Sequence, residues 1–222
     1  CVFMFLPVYI YIYISGLHNS ASAPLFDLPG NVSPSFLVWN ARALCFGNHN
    51  CRIRKQKAQQ IAKFCKTFSI VGILEAKGAE AEIKLLLSQY IKTHFIFSSV
   101  LLDEQGLDYS RGGGVVLLVR HSLFPISVLD SEFNPNNFFR VIIPGRVLRL
   151  TLPGTSNGHS FALNLIHNQA FSREDFHCVE QVIRGDISKS RESPCEFCSV
   201  SIGDFNLQPA GVLPLPTSAP IP

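Results

Sequence analysis

Short apolar runs recur along the central part of the chain, and polar residues follow most of them. The pattern predicts strands at 36–39, 69–74, 94–102, 113–120, 138–143, 146–152, 161–166 and 197–202. Pro144-Gly145 is a turn dipeptide, so we expect the strands on either side of it to form a hairpin.

Apolar residues at helical spacing predict helices at 52–66 and 79–90 and a third helix after Ser172. Ser172 and Asp175 have the spacing of a capping box, in which a hydroxyl and an acidic side chain satisfy each other's backbone N–H groups. No helix is predicted between the consecutive strands from 94 to 166. The pattern therefore indicates an α+β fold, a layered β-sandwich flanked by helices, and not a parallel sheet alternating with helices.

The N-terminal segment is apolar but differs from a membrane helix, since it is short and Pro7 interrupts it. Its alternating Tyr and Ile residues are typical of a strand, and Ala21-Ser22-Ala23 resembles a signal-peptidase site without a basic segment before it. An extra strand or an upstream remnant is therefore favoured over a signal or anchor. We expect an extension and linker at 1–35, a folded domain at 36–209 and a Pro-rich tail at 210–222. No stable membrane association is expected, and a nuclear or cytoplasmic location is favoured over secretion.

The composition of the 222 residues, 47% hydrophobic and 16% charged, indicates a globular domain with a substantial core. The net charge of +3 does not by itself indicate a nucleic-acid-binding protein. Between Arg52 and Lys66 the predicted helix is strongly basic; this segment either contacts nucleic-acid phosphates or is simply the solvated face of an amphipathic helix.

The chain contains seven cysteines, an odd number, and several lie in apolar runs, which favours reduced thiols that act as small core residues. Cys195 and Cys198 form a CxxC pair, but no second pair follows at the spacing of a structural zinc site. A cysteine metal centre is therefore not expected.

The candidate site residues lie where four apolar strands end in a polar residue. They are Asn40, Glu75, His167 and Asp204, and Asn206 follows shortly after Asp204. Polar groups at strand ends can converge on a substrate, because there a rigid sheet meets solvent. Carboxylate, carboxamide and imidazole groups together suit Mg²⁺ and a phosphate oxygen.

Five segments, in this order, resemble motifs of the endonuclease/exonuclease/phosphatase superfamily over about residues 36–209. They are Trp39-Asn40-Ala41-Arg42, Ile73-Leu74-Glu75-Ala76-Lys77, the Gly-rich entry 111–117, Asn164-Leu165-Ile166-His167 and Gly203-Asp204-Phe205-Asn206. The third and fourth are similar to the family's Gly-rich strand entry and to its strand bearing Asn and His. Within the superfamily, the chain looks most like endonucleases of LINE-type retrotransposons.

The resemblance implies Mg²⁺-dependent hydrolysis, with Mn²⁺ as an alternative ion, of DNA or another phosphodiester. Glu75 would be the main metal ligand, and Asn40 would support the metal or the phosphate. Asp204 would orient or deprotonate the attacking water, Asn206 would hold the scissile phosphate, and His167 would lie near the leaving group.

The family's later motifs, a second acidic residue and a Ser-Asp-His, have no counterpart after Asn206. The resemblance therefore implies either a fragment of a longer enzyme or an inactive remnant, and a greatly reduced rate for the chain alone. A phosphatase acting on inositol-type phosphoesters and a non-catalytic remnant both stay open as alternatives to the DNA endonuclease.

Overall fold

A computed structural model of the chain describes residues 11–15, 35–42, 44–45, 51–101, 113–124, 134–152, 160–168, 171–192 and 197–205. In these residues the fold is mixed α+β, with two β-sheets flanked by helices. The predicted fold class is therefore confirmed.

The larger sheet has five strands in the order β1-β9-β8-β7-β6. Its strands are β1 (Tyr11–Ser15), β6 (Phe139–Ile143), β7 (Val147–Leu152), β8 (Ser160–His167) and β9 (Phe197–Asp204). Strands β8 and β9 are parallel, and the other neighbours are antiparallel. The Tyr-Ile alternation near the N-terminus thus forms an extra strand, as one of the two favoured interpretations predicts. Strands β6 and β7 form the predicted hairpin.

The smaller sheet has four strands in the order β2-β3-β5-β4. Its strands are β2 (Phe36–Asn40), β3 (Ile70–Leu74), β4 (His94–Ser99) and β5 (Val115–Arg120). Strands β2 and β3 are parallel and are connected through helix α1 (Cys51–Thr67). The parallel pairs matter for function, because parallel strands that are neighbours in a sheet end at the same edge.

Two further α-helices are described, α2 (Glu80–Leu87) and α3 (Arg173–Glu192). The predicted second helix continues beyond Leu87 only as a short 3-10 helix, Ser88–Tyr90. The predicted capping box of α3 is confirmed: Asp175 N donates to Ser172 Oγ at 3.1 Å, and Ser172 N donates to Asp175 Oδ2 at 2.9 Å.

The main core lies between the two sheets, and strict alternation along the strands produces it. In β5, Val115, Leu117 and Val119 face this core, while Val116 and Leu118 face the helices α1 and α2. A Cβ atom added at Gly72 would lie 2.9 Å from the Leu165 side chain, so glycine allows β3 and β8 to approach closely. Helix α3 packs on the outer face of the larger sheet through Val179.

Cys65 and Cys178 are free thiols, and Cys65 is buried in the core. In the part of the chain that the structure describes, no helix has the length and apolarity needed to cross a membrane. The limits predicted for the extension, the domain and the tail remain predictions.

Candidate active site at one rim of the sandwich

Four of the predicted site residues lie at one rim of the sandwich, where both parallel strand pairs end. Strand β2 ends at Asn40, Glu75 directly follows the last residue of β3, and β8 and β9 end at His167 and Asp204. His167 Nε2 is 3.7 Å from Glu75 Oε1, a contact that connects the two sheets. The fifth predicted residue, Asn206, lies outside the described residues.

Glu75 is held by two donors, one on each side of its carboxylate. Asn40 Nδ2 donates to Oε1 at 2.8 Å, and Lys77 Nζ lies 3.2 Å from Oε2. The orientation of the Asn40 amide follows from its other bond, since Oδ1 accepts from the backbone N–H of Arg42 at 3.0 Å. In this arrangement Asn40 positions the carboxylate of Glu75.

These partners keep Glu75 ionised. Burial alone would raise the pKa of its carboxyl, but the hydrogen bonds from Asn40 and Lys77 and the charge of Lys77 outweigh burial, so the pKa is lowered. Lys77 belongs to a segment that resembles a family motif, yet the sequence assigned it no role. A cationic residue two positions after the candidate ligand is the signal that could have found it.

His167 is almost fully buried, with 1% of its surface exposed. Burial lowers the pKa of its imidazole; Glu75 and Asp204 act in the opposite direction, but the pKa stays below its ordinary value. The ring is therefore neutral at physiological pH, and the 3.7 Å contact with Glu75 is neither an ion pair nor a full hydrogen bond. Its Nδ1 atom is buried, and no described residue forms a hydrogen bond with it.

The position of Asp204 depends on the glycine before it. A Cβ atom at Gly203 would lie 1.8 Å from the carbonyl oxygen of Ile166 in the neighbouring strand, so only glycine fits there. In the parallel register of β8 and β9, Asp204 is the partner of His167. This register places the second candidate carboxylate beside the imidazole and on the same side of the molecule as Glu75.

Asn168 fixes the end of β9, and the sequence analysis missed it. Its backbone N–H donates to Asp204 O at 2.7 Å, and its side-chain amide donates to Phe205 O. An Asn directly after a strand is a common turn residue, so its sequence signal is weak.

A backbone contact between glycines joins the two sheets next to His167. Gly114 N donates to Gly145 O at 2.9 Å, and Gly145 N donates to Ser99 Oγ at 2.8 Å. A Cβ at Gly113 would lie 2.7 Å from Gly145 O and 3.8 Å from His167 Nδ1, so this approach requires glycine. Gly113 and Gly114 lead directly into β5, the strand entry that the sequence predicts; Arg111 and Gly112 lie outside the described residues.

Unusual backbone conformations concentrate at this rim. Among the described residues, the non-glycine positions with positive φ are Arg42 at 44°, Glu75 at 52° and Lys77 at 38°. Such conformations cost about 1–3 kcal/mol each and persist where the surrounding structure imposes them, often at functional sites. We refer to Asn40, Glu75, Lys77, His167 and Asp204 as the rim cluster.

Asn164, part of the segment that resembles the family's strand with Asn and His, is not in the rim cluster. It lies three residues before His167 and therefore faces the opposite side of β8. There it accepts from Arg149 Nη1 at 2.9 Å and donates to Asp186 Oδ2 at 3.0 Å. Asn164 thus helps to dock α3 on the sheet.

A divalent metal at this rim is compatible with the donors present. Within the described ranges, no group of three His, Cys, Asp or Glu side chains is arranged to hold a metal ion. Mg²⁺ is often bound through one or two carboxylates while substrate phosphates and water supply the other ligands. The Glu75 carboxylate is partly exposed, with 20% of its side chain accessible, and each of its oxygens retains a lone pair beyond the bonds described.

Among the comparisons with known proteins, only solved structures match the chain. No protein-family model and no curated protein matches the chain. Solved structures similar to it include the human Nocturnin catalytic domain with bound sulfate (15% identity, TM-score 0.47, 80% of this chain and 66% of that one). Others are a zebrafish TDP2 humanised by 14 mutations (15%, 0.45, 80% and 64%) and TDP2 from Caenorhabditis elegans (16%, 0.43, 83% and 50%). The chain thus spans 50–66% of the length of these structures.

Proposed function

We propose that this chain carries the N-terminal two-thirds of a divalent-metal-dependent phosphodiesterase domain of the endonuclease/exonuclease/phosphatase superfamily. The preferred substrate is DNA, and the preferred activity is that of a LINE-type endonuclease in a retroelement-like protein. The observation that carries the proposal is the meeting of Glu75, His167 and Asp204 at one rim, although they come from two sheets. The ordered motifs that bear these residues support it further.

In this proposal Glu75 holds Mg²⁺, with Mn²⁺ as an alternative. The ion would supply positive charge that offsets the developing charge on the phosphate oxygens. Asn40 and Lys77 keep the carboxylate oriented and ionised before substrate arrives, which is the preorganisation that electrostatic catalysis requires.

Asp204 and His167 carry the proton chemistry. Asp204 orients the attacking water and accepts its proton, while Asn206 holds the scissile phosphate. The neutral imidazole of His167 can donate one N–H toward the leaving-group side, because burial and the cations around it keep the ring unprotonated at physiological pH. The leaving-group role of His167 follows the family resemblance.

Nicking of supercoiled plasmid with and without Mg²⁺ tests the proposal, using this chain and a version extended into its genomic downstream sequence. We expect metal-dependent nicking that disappears in Glu75→Ala and in Asp204→Ala. Glu174→Ala, which removes an exposed carboxylate of α3, is the matched control and should nick normally.

Other outcomes separate the alternatives. Intact plasmid together with phosphate release from inositol phosphates would identify a phosphatase with the same fold. If neither version hydrolyses any phosphoester, the chain is a non-catalytic remnant and the proposal is wrong.

A further inference from the structure

Helix α1 has an unusual charge composition. Its 17 residues contain six basic side chains, Arg52, Arg54, Lys55, Lys57, Lys63 and Lys66, and no Asp or Glu. Since the net charge of the whole chain is +3, the remainder carries +3 − 6 = −3. Helix α3, on the other sheet, has four basic and five acidic residues over 20 positions. The excess positive charge of the protein is therefore concentrated in α1.

Three of these cations form a row on the outer face of the helix. Lys55, Lys63 and Lys66 are exposed, and their spacing places them within a sector of about 80° and over about 16 Å of helix axis. None of the three makes an ion pair with a described carboxylate. Between them lie Gln56, Gln59 and Gln60, where surface helices commonly carry Glu that neutralises Lys. We call Lys55, Lys63 and Lys66 the α1 lysine row.

Helix stability does not explain this composition. Cations near a helix N-terminus oppose the helix dipole, yet the first turn of α1 contains Arg52 and Arg54 and no acidic residue. Only Lys66, in the last turn, is favourably placed. A solvated helix face with no further role would not be expected to accept unfavourable charges at one end and omit acidic residues throughout.

The row begins near the rim cluster. Helix α1 follows β2, whose last residue is Asn40, and Lys57 Nζ donates to the backbone oxygen of Arg42 at 3.0 Å. At the other end, Arg120 donates to the backbone oxygen of Cys65 at 2.8 Å, which fixes the helix at the far end of the sheet. The lysine row therefore leads away from the candidate active site along the side of the molecule.

We propose that the α1 lysine row binds the phosphate backbone of duplex DNA whose scissile phosphate lies at the rim cluster. The row spans about five phosphates of one strand, since phosphates follow each other every ~3.4 Å along the duplex axis. A membrane surface fits less well, because a membrane-bound helix inserts its apolar face, and Ile61 and Cys65 on the apolar face of α1 are buried against the sheet. This inference rests on the proposed function for its choice of polyanion.

The test measures affinity for a short DNA duplex at several salt concentrations, in EDTA, so that binding is separated from hydrolysis. The variant Lys55→Ala/Lys63→Ala/Lys66→Ala should lower the slope of log affinity against log salt by about 2.7, if each lysine contacts one phosphate. Between about 50 and about 200 mM salt, the affinity of the unchanged protein should then fall about 40-fold more than that of the variant.

Two further variants make the test specific. Lys92→Ala/Arg173→Ala/Arg191→Ala removes the same charge from exposed positions elsewhere and should leave the slope unchanged. The triple Lys-to-Arg variant at the lysine row keeps the charge and should retain the slope. If the slope decreases equally in the two alanine variants, the effect of charge is diffuse and the proposal is overturned. An unchanged slope in the lysine-row alanine variant would also overturn it.

Binding to vesicles that contain anionic lipid is measured in parallel. Loss of vesicle binding in the lysine-row variant, with DNA binding unchanged, would replace DNA by a membrane surface as the partner. Glu75→Ala separates this inference from the proposed function. If the protein never nicks DNA but the salt dependence of its DNA affinity still depends on the lysine row, only the catalytic proposal is contradicted. If it nicks DNA but the salt dependence of its affinity does not depend on the lysine row, only the inference about the lysine row is contradicted.

Discussion

Strand β8 carries two polar clusters on its opposite faces, and they differ in how completely their groups are paired. Beneath α3, Arg149 binds both oxygens of Asp186 at 2.6 and 2.7 Å, and Asn164 donates to Asp186 and to Ser201. We call these four residues the Arg149 cluster. In the rim cluster, by contrast, no described residue forms a hydrogen bond with His167 Nδ1, and Nε2 is 3.7 Å from the nearest Glu75 oxygen.

The comparison separates polar groups that hold the fold from polar groups available for chemistry. A buried ion pair whose hydrogen bonds are satisfied on all sides fixes one arrangement of strands and helix. Incomplete pairing and backbone strain have a cost in stability, and under the proposed function the rim residues recover part of that cost when they bind a metal or a substrate. The two clusters should therefore respond in opposite ways to substitution.

The largest effect is expected on hydrolysis, from Asp204→Asn. Loss of a general base should reduce the rate about 10²–10⁴-fold. The melting temperature should change little, because Asp204 is partly exposed and its backbone bond from Asn168 remains. Plasmid nicking and thermal denaturation measure the two quantities. A rate loss below tenfold, or a large drop in melting temperature, would place Asp204 with the structural residues.

The opposite result is expected from Asp186→Asn. This substitution leaves the partly buried Arg149, whose side chain is 14% exposed, without its counter-charge, which should lower the free energy of unfolding by about 3 kcal/mol in urea denaturation. Hydrolysis measured well below the unfolding midpoint should stay within a few-fold of normal. The double variant Arg149→Met/Asp186→Leu, which leaves no lone charge, should cost less than Asp186→Asn. If it costs more, the ion pair contributes net stability that the desolvation argument does not predict.

Sequence reasoning predicted that Asn40, Glu75, His167 and Asp204 converge because each lies at the end of an apolar strand, and strand ends can be read from the hydrophobic pattern. The same reasoning predicted the hairpin and the cap of α3. These features depend on the local alternation of apolar and polar residues and on turn-forming residues, both of which can be read directly from the sequence.

Other contacts depend on geometry that the pattern does not contain. Asn164 and His167 are three residues apart along a strand, so they lie on opposite faces of it. The family resemblance groups them in one motif and therefore does not indicate this difference. Lys77 and Glu75, which contact each other, both have positive φ, a conformation that their side chains do not favour and that the pattern does not predict. Asn168 and Gly145 act through partners more than 30 positions away along the chain.

A third polar group, His94 at the start of β4, is intermediate between the two clusters. Its Nδ1 is 2.8 Å from Thr93 Oγ1, but its buried Nε2 has no partner in the part of the chain that the structure describes. Burial, with Arg120 and His121 nearby, lowers the pKa of His94 from 6.5 to about 4. Below pH ~6.5 the unfolded chain takes up a proton that the folded protein takes up only near pH 4.

The free energy of unfolding should therefore decrease as the pH falls from 6.5 to about 4, by at most about 3 kcal/mol. His94→Asn, which keeps an acceptor near Thr93, should remove this part of the pH dependence in urea denaturation. His177→Asn on the exposed face of α3 is the control and should leave it unchanged. A pH dependence identical in all three proteins would show that His94 does not stay neutral in the fold.

The smallest effect at neutral pH is expected from Lys77→Met. Lys77 and Asn40 hold the pKa of Glu75 below its ordinary value. The ionised carboxylate therefore contributes its full stability at pH values above the ordinary pKa, and this contribution is lost as the pH falls through the lowered pKa. Without the ammonium group the pKa of Glu75 should rise, and the acidic limb of the rate profile should move to higher pH. Lys84→Met, which breaks the exposed pair with Glu80, is the matched control.

A carboxyl titration of Glu75 followed by NMR gives the same shift without requiring turnover. If the acidic limb and the titration both stay where they are in the unchanged protein, Lys77 does not control Glu75, and the rim cluster would resemble the Arg149 cluster in being built for stability. If Lys77→Met shifts both the acidic limb and the titration while Lys84→Met shifts neither, the charge of Lys77 keeps Glu75 ionised at the rim. Asp186 needs no such additional charge, because its pairing is complete.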